Sequence, residues 1–163
     1  MEATIGWATR DERGGALVGD VVAGGDNGRV PQVDLAAAPA AHHALHRAIR
    51  AGQVRACHDL SEGGLGVAAA EMAFAGGLGM RLELPAAAGL DDVALLWSES
   101  PTRWLVEVAP GAAADFAATL AGVPCAAVGE LTAAPELVIV GTQGDELIRA
   151  DVGALKQAWQ RTN

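Results

Sequence analysis

The sequence predicts one domain in which helices pack on a β-sheet, and three observations carry that expectation. Its 163 residues suffice for one compact domain with a sizeable core and are too few for a separate catalytic domain besides. Hydrophobic residues make up 51% and charged residues 19%, a balance that excludes disorder and requires extensive burial. Strand-like and helix-like runs alternate along the chain, roughly six of the first and five of the second, the arrangement expected where helices cover a sheet. A single domain over residues 1–163 follows, with its core from about 14 to 160.

The elements read in order as follows. Ala16 to Val22 is β-rich and runs into Gly24-Gly25-Asp26-Asn27-Gly28, a turn dense in residues that tolerate positive φ. Pro39 opens a helix with Leu45, Ala48 and Ile49 on one face, and Gly52 ends it. Val54 to His58 alternates as a strand and leads into a loop at Asp59. Ser61 is placed to cap a helix whose body is Val67 to Phe74, closed by Gly76-Gly77. Gly79 to Leu84 reads as a strand, Asp91 to Trp97 as a short helix, Trp104 to Val108 as a strand and Ala112 to Leu120 as a helix. Strands at Cys125 to Val128, Leu137 to Val140 and Glu146 to Ile148 precede a closing helix from about Val152 to Trp159.

Charge narrows the function classes. Twenty acidic residues against 11 basic ones give a net charge of -9, with Lys156 the only lysine and the arginines scattered, so neither nucleic acid nor an anionic membrane is an expected partner. The first 13 residues carry charges of both signs and no apolar core, which is not a secretory signal, and a cytoplasmic location is expected. The longest uncharged apolar stretch, Phe116 to Val128, is broken by Gly122 and Pro124 and is too short to span a bilayer. Cys57 and Cys125 lie far apart, without Cys-x-x-Cys spacing, and read as reduced thiols.

Two runs are candidates for chemistry. In His58-Asp-Leu-Ser-Glu-Gly-Gly64, Gly63 and Gly64 allow close backbone approach, the helix start near Ser61 offers N–H groups to a phosphate, and Asp59 is placed to hold magnesium bridging phosphates. The same residues equally suit a capped helix entered by a tight turn, and no Walker loop is present. In Trp97-Ser-Glu-Ser-Pro-Thr-Arg-Trp104, the polar groups Glu99, Ser100 and Arg103 suit ribose or phosphate, or else a polar turn cornered by Pro101. His42 and His46 share a helical face as zinc pairs do, but lack an acidic partner and read as surface histidines. His58 has no nucleophile nearby, and no residue here is expected to be catalytic. The tryptophans Trp7, Trp97, Trp104 and Trp159 read as core or interface anchors.

The runs Cys57-His-Asp-Leu-Ser-Glu-Gly-Gly-Leu-Gly-Val-Ala-Ala-Ala-Glu-Met-Ala-Phe74 and Trp97 to Val106 closely resemble the C-terminal end of the phosphoribosylformylglycinamidine synthase family. Gly14-Gly15 and Pro31-Gln-Val-Asp34 look like the opening of that domain, and Leu155 to Trp159 like its final helix. The wider superfamily, with aminoimidazole ribonucleotide synthetase, selenophosphate synthetase, thiamine monophosphate kinase and a hydrogenase maturation protein, shares the glycine loop; the Ala-Glu-Met-Ala-Phe and Ser-Glu-Ser pair favours the purine enzyme.

The resemblance implies an α+β fold, a three-layer α/β/α domain with a mixed sheet. It also implies a place in an enzyme that uses ATP, magnesium and glutamine-derived ammonia to turn formylglycinamide ribonucleotide into its amidine, with a glutaminase subunit as partner. Within that enzyme the chain looks like the C-terminal domain of the second of two repeats, packed against N-terminal domains. The first repeat's magnesium-ligating aspartate falls at Asp59, and its substrate-contacting Glu-Ser pair at Glu99 and Ser100, while Pro101 stands where the first repeat has glutamine. Because the second repeat is the structural nucleotide site, a supporting role is implied. The family's catalytic histidine and ATP-contacting motifs belong to upstream domains, so these 163 residues alone should not catalyse the reaction. Two other readings stay open: another superfamily member acting on a different phosphorylated small molecule, and a free-standing module that homodimerises.

Overall fold

The computed structural model describes residues 2–6, 9–14, 16, 21, 29–86 and 89–161. Among the described residues seven strands form one mixed sheet: β1 (Glu2–Gly6), β2 (Val54–Asp59), β3 (Gly79–Glu83), β4 (Arg103–Val108), β5 (Cys125–Thr132), β6 (Glu136–Val140) and β7 (Glu146–Asp151). Their spatial order is β2-β4-β1-β5-β3-β6-β7. All pairs are antiparallel except β3 with β6. The α-helices of the described residues are α1 (Ala38–Arg50), α2 (Gly64–Gly76), α3 (Asp92–Trp97), α4 (Ala113–Thr119) and α5 (Val152–Arg161).

The layering follows from alternation along β4, whose successive side chains point to opposite faces. Trp104, Val106 and Val108 join Ala41, Ala44, Leu45 and Ala48 of α1 and Phe116 and Leu120 of α4. Leu105 joins the opposite cluster with Leu65, Ala69 and Ala73 of α2, Leu95 and Leu96 of α3, and Leu82 and Ile139 of the sheet. The sheet is therefore sandwiched between helices, the three-layer arrangement with a mixed sheet. Leu82, Leu105 and Ile139 are fully buried, and burying each contributes about 2 kcal/mol.

Most elements form where the sequence places them, and the departures have physical causes. β1 begins at Glu2, well before the expected start of the core, and lies between β4 and β5. The expected strand at 16–22 and the turn at 24–28 lie almost entirely outside the described residues. In α1 the buried stripe is Ala41, Ala44, Leu45 and Ala48, spaced three and four apart, which leaves Ile49 47% exposed. β5 runs four residues past Val128 because it must pair with both β1 and β3.

The helix expected behind a Ser61 cap starts instead at Gly64, with Gly63 as N-cap and no side-chain cap bond. Gly63 (φ 75°) and Gly64 (φ 59°) both adopt the left-handed region, which glycine enters without steric cost. The resulting turn presents the Ser61 carbonyl, rather than its hydroxyl, to the Gly64 N–H at 3.0 Å. A Cβ on Gly64 would lie 2.7 Å from the carbonyl oxygens of both Leu96 and Ser98. This position fixes how closely α2 approaches the end of α3.

Candidate functional site

The two runs singled out in the sequence meet at one cleft. Antiparallel pairing of β2 with β4 sets Asp59 opposite Trp104, so the loop leaving β2 and the loop entering β4 lie side by side. Between them is a cleft of about 430 Å³. Asp59, Leu60, Ser61 and Glu62 supply one wall, Glu99, Pro101, Thr102 and Arg103 the other, and Trp104, His42 and Pro31 complete it. His42 stands edge-on to Trp104 at 4.8 Å, a favourable aromatic geometry.

Asp59, Ser61, Glu99 and Arg103 thus share the cleft, while Gly63, Gly64 and Ser100 do not line it. The Gly63 N–H donates to Glu99 Oε1 at 2.8 Å and the Gly64 N–H to the Ser61 carbonyl, so both amides are committed within the chain. Ser100 is buried and turned inward, where its hydroxyl accepts from the Arg10 N–H at 3.2 Å.

A network below the cleft was not legible in the sequence. The Glu12 N–H donates to Ser98 Oγ at 3.2 Å, the Ser98 hydroxyl donates to the Arg10 carbonyl, and the Glu99 N–H donates to the Glu12 carbonyl at 3.4 Å. These bonds tie residues 10–12 to residues 98–100. Arg103 is 4% exposed and donates from Nη1 to the Ser98 carbonyl at 3.2 Å. Burial pushes its guanidinium down to about 10, with the nearby Glu12 charge opposing the shift. Glu12 is also 4% exposed, with Oε1 3.6 Å from Arg10 and Oε2 lacking a hydrogen-bond partner. The charged run Asp11-Glu12-Arg13 reads as solvated surface, and nothing in its pattern marks the middle carboxylate as buried.

Thr102 has φ 62°, the one non-glycine residue at positive φ among the described residues. For a β-branched residue this is strained backbone, of the kind that concentrates at ligand sites. His58 sits behind the cleft, with Nδ1 2.6 Å from the Asp59 carbonyl and Nε2 2.8 Å from Glu71 on α2. It joins the end of β2 to α2 rather than facing any nucleophile. His42, His43 and His46 are exposed on α1, and among the described residues no group of three or more His, Cys, Asp or Glu side chains is placed to hold a metal. Both cysteines are free and reach solvent, and partial desolvation of the sulfur pushes their thiols up, Cys57 to about 11 with help from the Asp59 charge.

The donor set suits magnesium in one way. Asp59 is an exposed carboxylate, 66% accessible, on the cleft wall. Magnesium bound to proteins takes one or two carboxylates and fills its remaining positions with phosphate oxygens and water. Asp59 fits that role, and the cleft supplies no all-protein cage.

Comparison with known proteins agrees with this geometry. The family described as AIR synthase related protein, C-terminal domain, matches residues 5–142. The phosphoribosylformylglycinamidine synthase subunit PurL of Deinococcus radiodurans is 38% identical over 158 residues, covering 97% of this chain and 21% of its own length. The Methylocella silvestris subunit is 39% identical over 140 residues, or 85% and 18%. The chain thus spans about a fifth of the curated relatives it matches. Among solved structures, Thermotoga maritima PurL complexed with FGAR superimposes with a TM-score of 0.81 at 22% identity, covering 94% of this chain and 27% of that one. The same enzyme complexed with ATP gives 0.74 at 21%, covering 94% and 25%. Escherichia coli HypE, a hydrogenase maturation protein, gives 0.63 at 20% identity, covering 93% and 49%. The match over residues 5–142, on a three-layer fold with its cleft between β2 and β4, shows that the chain belongs to the AIR synthase related protein C-terminal domain family.

Proposed function

We propose that this chain is the C-terminal domain of the second repeat of a phosphoribosylformylglycinamidine synthase, the ATP-dependent ligase that converts formylglycinamide ribonucleotide to its amidine in purine synthesis. The observation that carries the reading is the meeting of both family-like runs at one cleft, with Asp59, Ser61 and Glu62 facing Glu99 and Arg103. The 38% identity to a PurL subunit across 97% of the chain supports it.

In this role the domain packs against the synthetase's N-terminal domains, works with the glutaminase subunit in the cytoplasm, and borders a nucleotide half-site. Asp59 would hold a magnesium ion at the mouth of the cleft, whose charge would offset that of a ligand's phosphates. Ser61 donates a hydroxyl to the ligand. Arg103 contributes positive potential from beneath the wall. No catalytic group is assigned to the domain, whose part is binding and support. In the complete synthetase, Asp59→Asn is expected to weaken magnesium-dependent ADP binding at least tenfold by calorimetry while leaving the melting temperature within about two degrees. ADP binding unaltered by the substitution would reduce Asp59 to a structural residue.

A further inference from the structure

The anion position at the start of α2 is filled from within the chain. The first amide of this 13-residue helix's N-cap, Gly63 N–H, donates to Glu99 Oε1 at 2.8 Å, although Glu99 lies 36 residues away. A helix N-terminus carries partial positive charge, and a carboxylate on a backbone N–H makes a charge-assisted bond, so the two stabilise one another. The carboxylate is held there by its surroundings. The Glu99 N–H donates to the Glu12 carbonyl, and Ser98 and Ser100 on either side are buried at 0% and 3% exposure. A freely turning surface glutamate would carry no such anchorage.

The remaining lining shares its sign. Asp59 and Glu62 stand on the opposite wall, and Arg103, the single arginine or lysine among the described lining residues, is buried and gives Nη1 to the Ser98 carbonyl. A free phosphate entering the cleft would meet three carboxylates for one guanidinium already engaged, and would have to displace one of them to reach the helix. We propose that Glu99 is a specificity-determining residue: it takes the place of a bound anion at the α2 N-terminus and excludes free phosphate from the cleft. The proposal rests on reading the cleft as a phosphate-type half-site, and it assigns the helix end to Glu99 instead of to the ligand. A ligand phosphate then enters only on the Asp59 side, accompanied by a cation.

The test uses the full chain with inorganic phosphate in the presence of a chelator, followed by calorimetry and phosphorus NMR. The unsubstituted protein should show no saturable binding. Glu99→Ala, which uncovers the Gly63 amide, should show saturable phosphate binding, with a Kd at least tenfold below the highest phosphate concentration at which the unsubstituted protein shows none. Glu99→Gln, which keeps an acceptor on that amide and removes only the charge, should fall between and serves if the alanine variant does not fold. Phosphate bound equally by all three proteins, or by neither variant, overturns the proposal. Magnesium-ADP titrated into the unsubstituted complete synthetase reads the nucleotide half-site separately, because its absence would remove that reading without altering the phosphate result.

Discussion

Gly64→Ala offers the sharpest check on how the cleft is built. The substitution acts at a residue with φ 59° whose new Cβ would lie 2.7 Å from two carbonyl oxygens, those of Leu96 and Ser98. Placing alanine in the left-handed region costs about 1–2 kcal/mol, and the loss of unfolded-state freedom returns about 0.4–1 kcal/mol. The close approach adds more, because both neighbours are backbone and give way only if α2 moves from the end of α3; overpacking of this kind costs about 1–3 kcal/mol. Together these give a loss of about 1–5 kcal/mol, centred on about 3 kcal/mol. With a urea m-value of about 2 kcal/mol/M for a domain of this size, the midpoint should fall by about 1–2 M.

Gly77→Ala is the internal control, since Gly77 has φ 66° but nothing within 4 Å of the added Cβ. It should cost only the conformational part, about 1 kcal/mol or less. Urea titrations followed by tryptophan fluorescence would compare the two. Equal losses in both variants would refute the argument that the 2.7 Å approach fixes the position of α2.

Two further outcomes follow from the buried charges and thiols. Arg103→Met removes the buried guanidinium's bond to the Ser98 carbonyl and should cost about 1–3 kcal/mol; a melting temperature equal to the parent's would show that this bond does not stabilise the cleft wall. Cys57 has its thiol raised from 9.0 to about 11, so at pH 8 its thiolate fraction, and with it the rate of alkylation by iodoacetamide, should be about a hundredfold below that of an unperturbed cysteine. Since the folded value exceeds the unfolded one, this thiol's contribution to stability is complete below pH 9 and is lost as the pH rises through about 11. Alkylation at pH 8 as fast as that of an unperturbed cysteine would contradict the raised thiol.

Local pattern made some features legible and left others hidden. The α1 helix with Leu45 and Ala48, though not Ile49, on its buried face, the short helix from Asp91 to Trp97, and the β2-loop-α2 order all rest on contacts between residues close in sequence. The sequence also brought Asp59 and Arg103 under suspicion, because strand ends and glycine-rich loops have recognisable spacing. Glu12 escaped because its backbone is tied to Ser98, 86 residues away, and to Glu99 beside it. Glu99 was visible as a polar residue, but its bond to the Gly63 amide follows from the pairing of β2 with β4, which no local period encodes. Two further residues, Thr102 with its positive φ and His58 with its link to Glu71, show the same limit.

The position of β1 bears on how the chain acquires its fold. β1 precedes the other strands along the sequence, yet its neighbours β4 and β5 begin at Arg103 and Cys125. Pairing across such sequence separations closes large loops before any contact compensates, which slows folding. Until β1 docks, the sheet is divided into β2-β4 on one side and β5-β3-β6-β7 on the other, each with unpaired edges open to intermolecular pairing. Completing the sheet therefore requires one strand to bridge both parts, and a chain ending before residue 125 lacks one of the two edges that β1 must join.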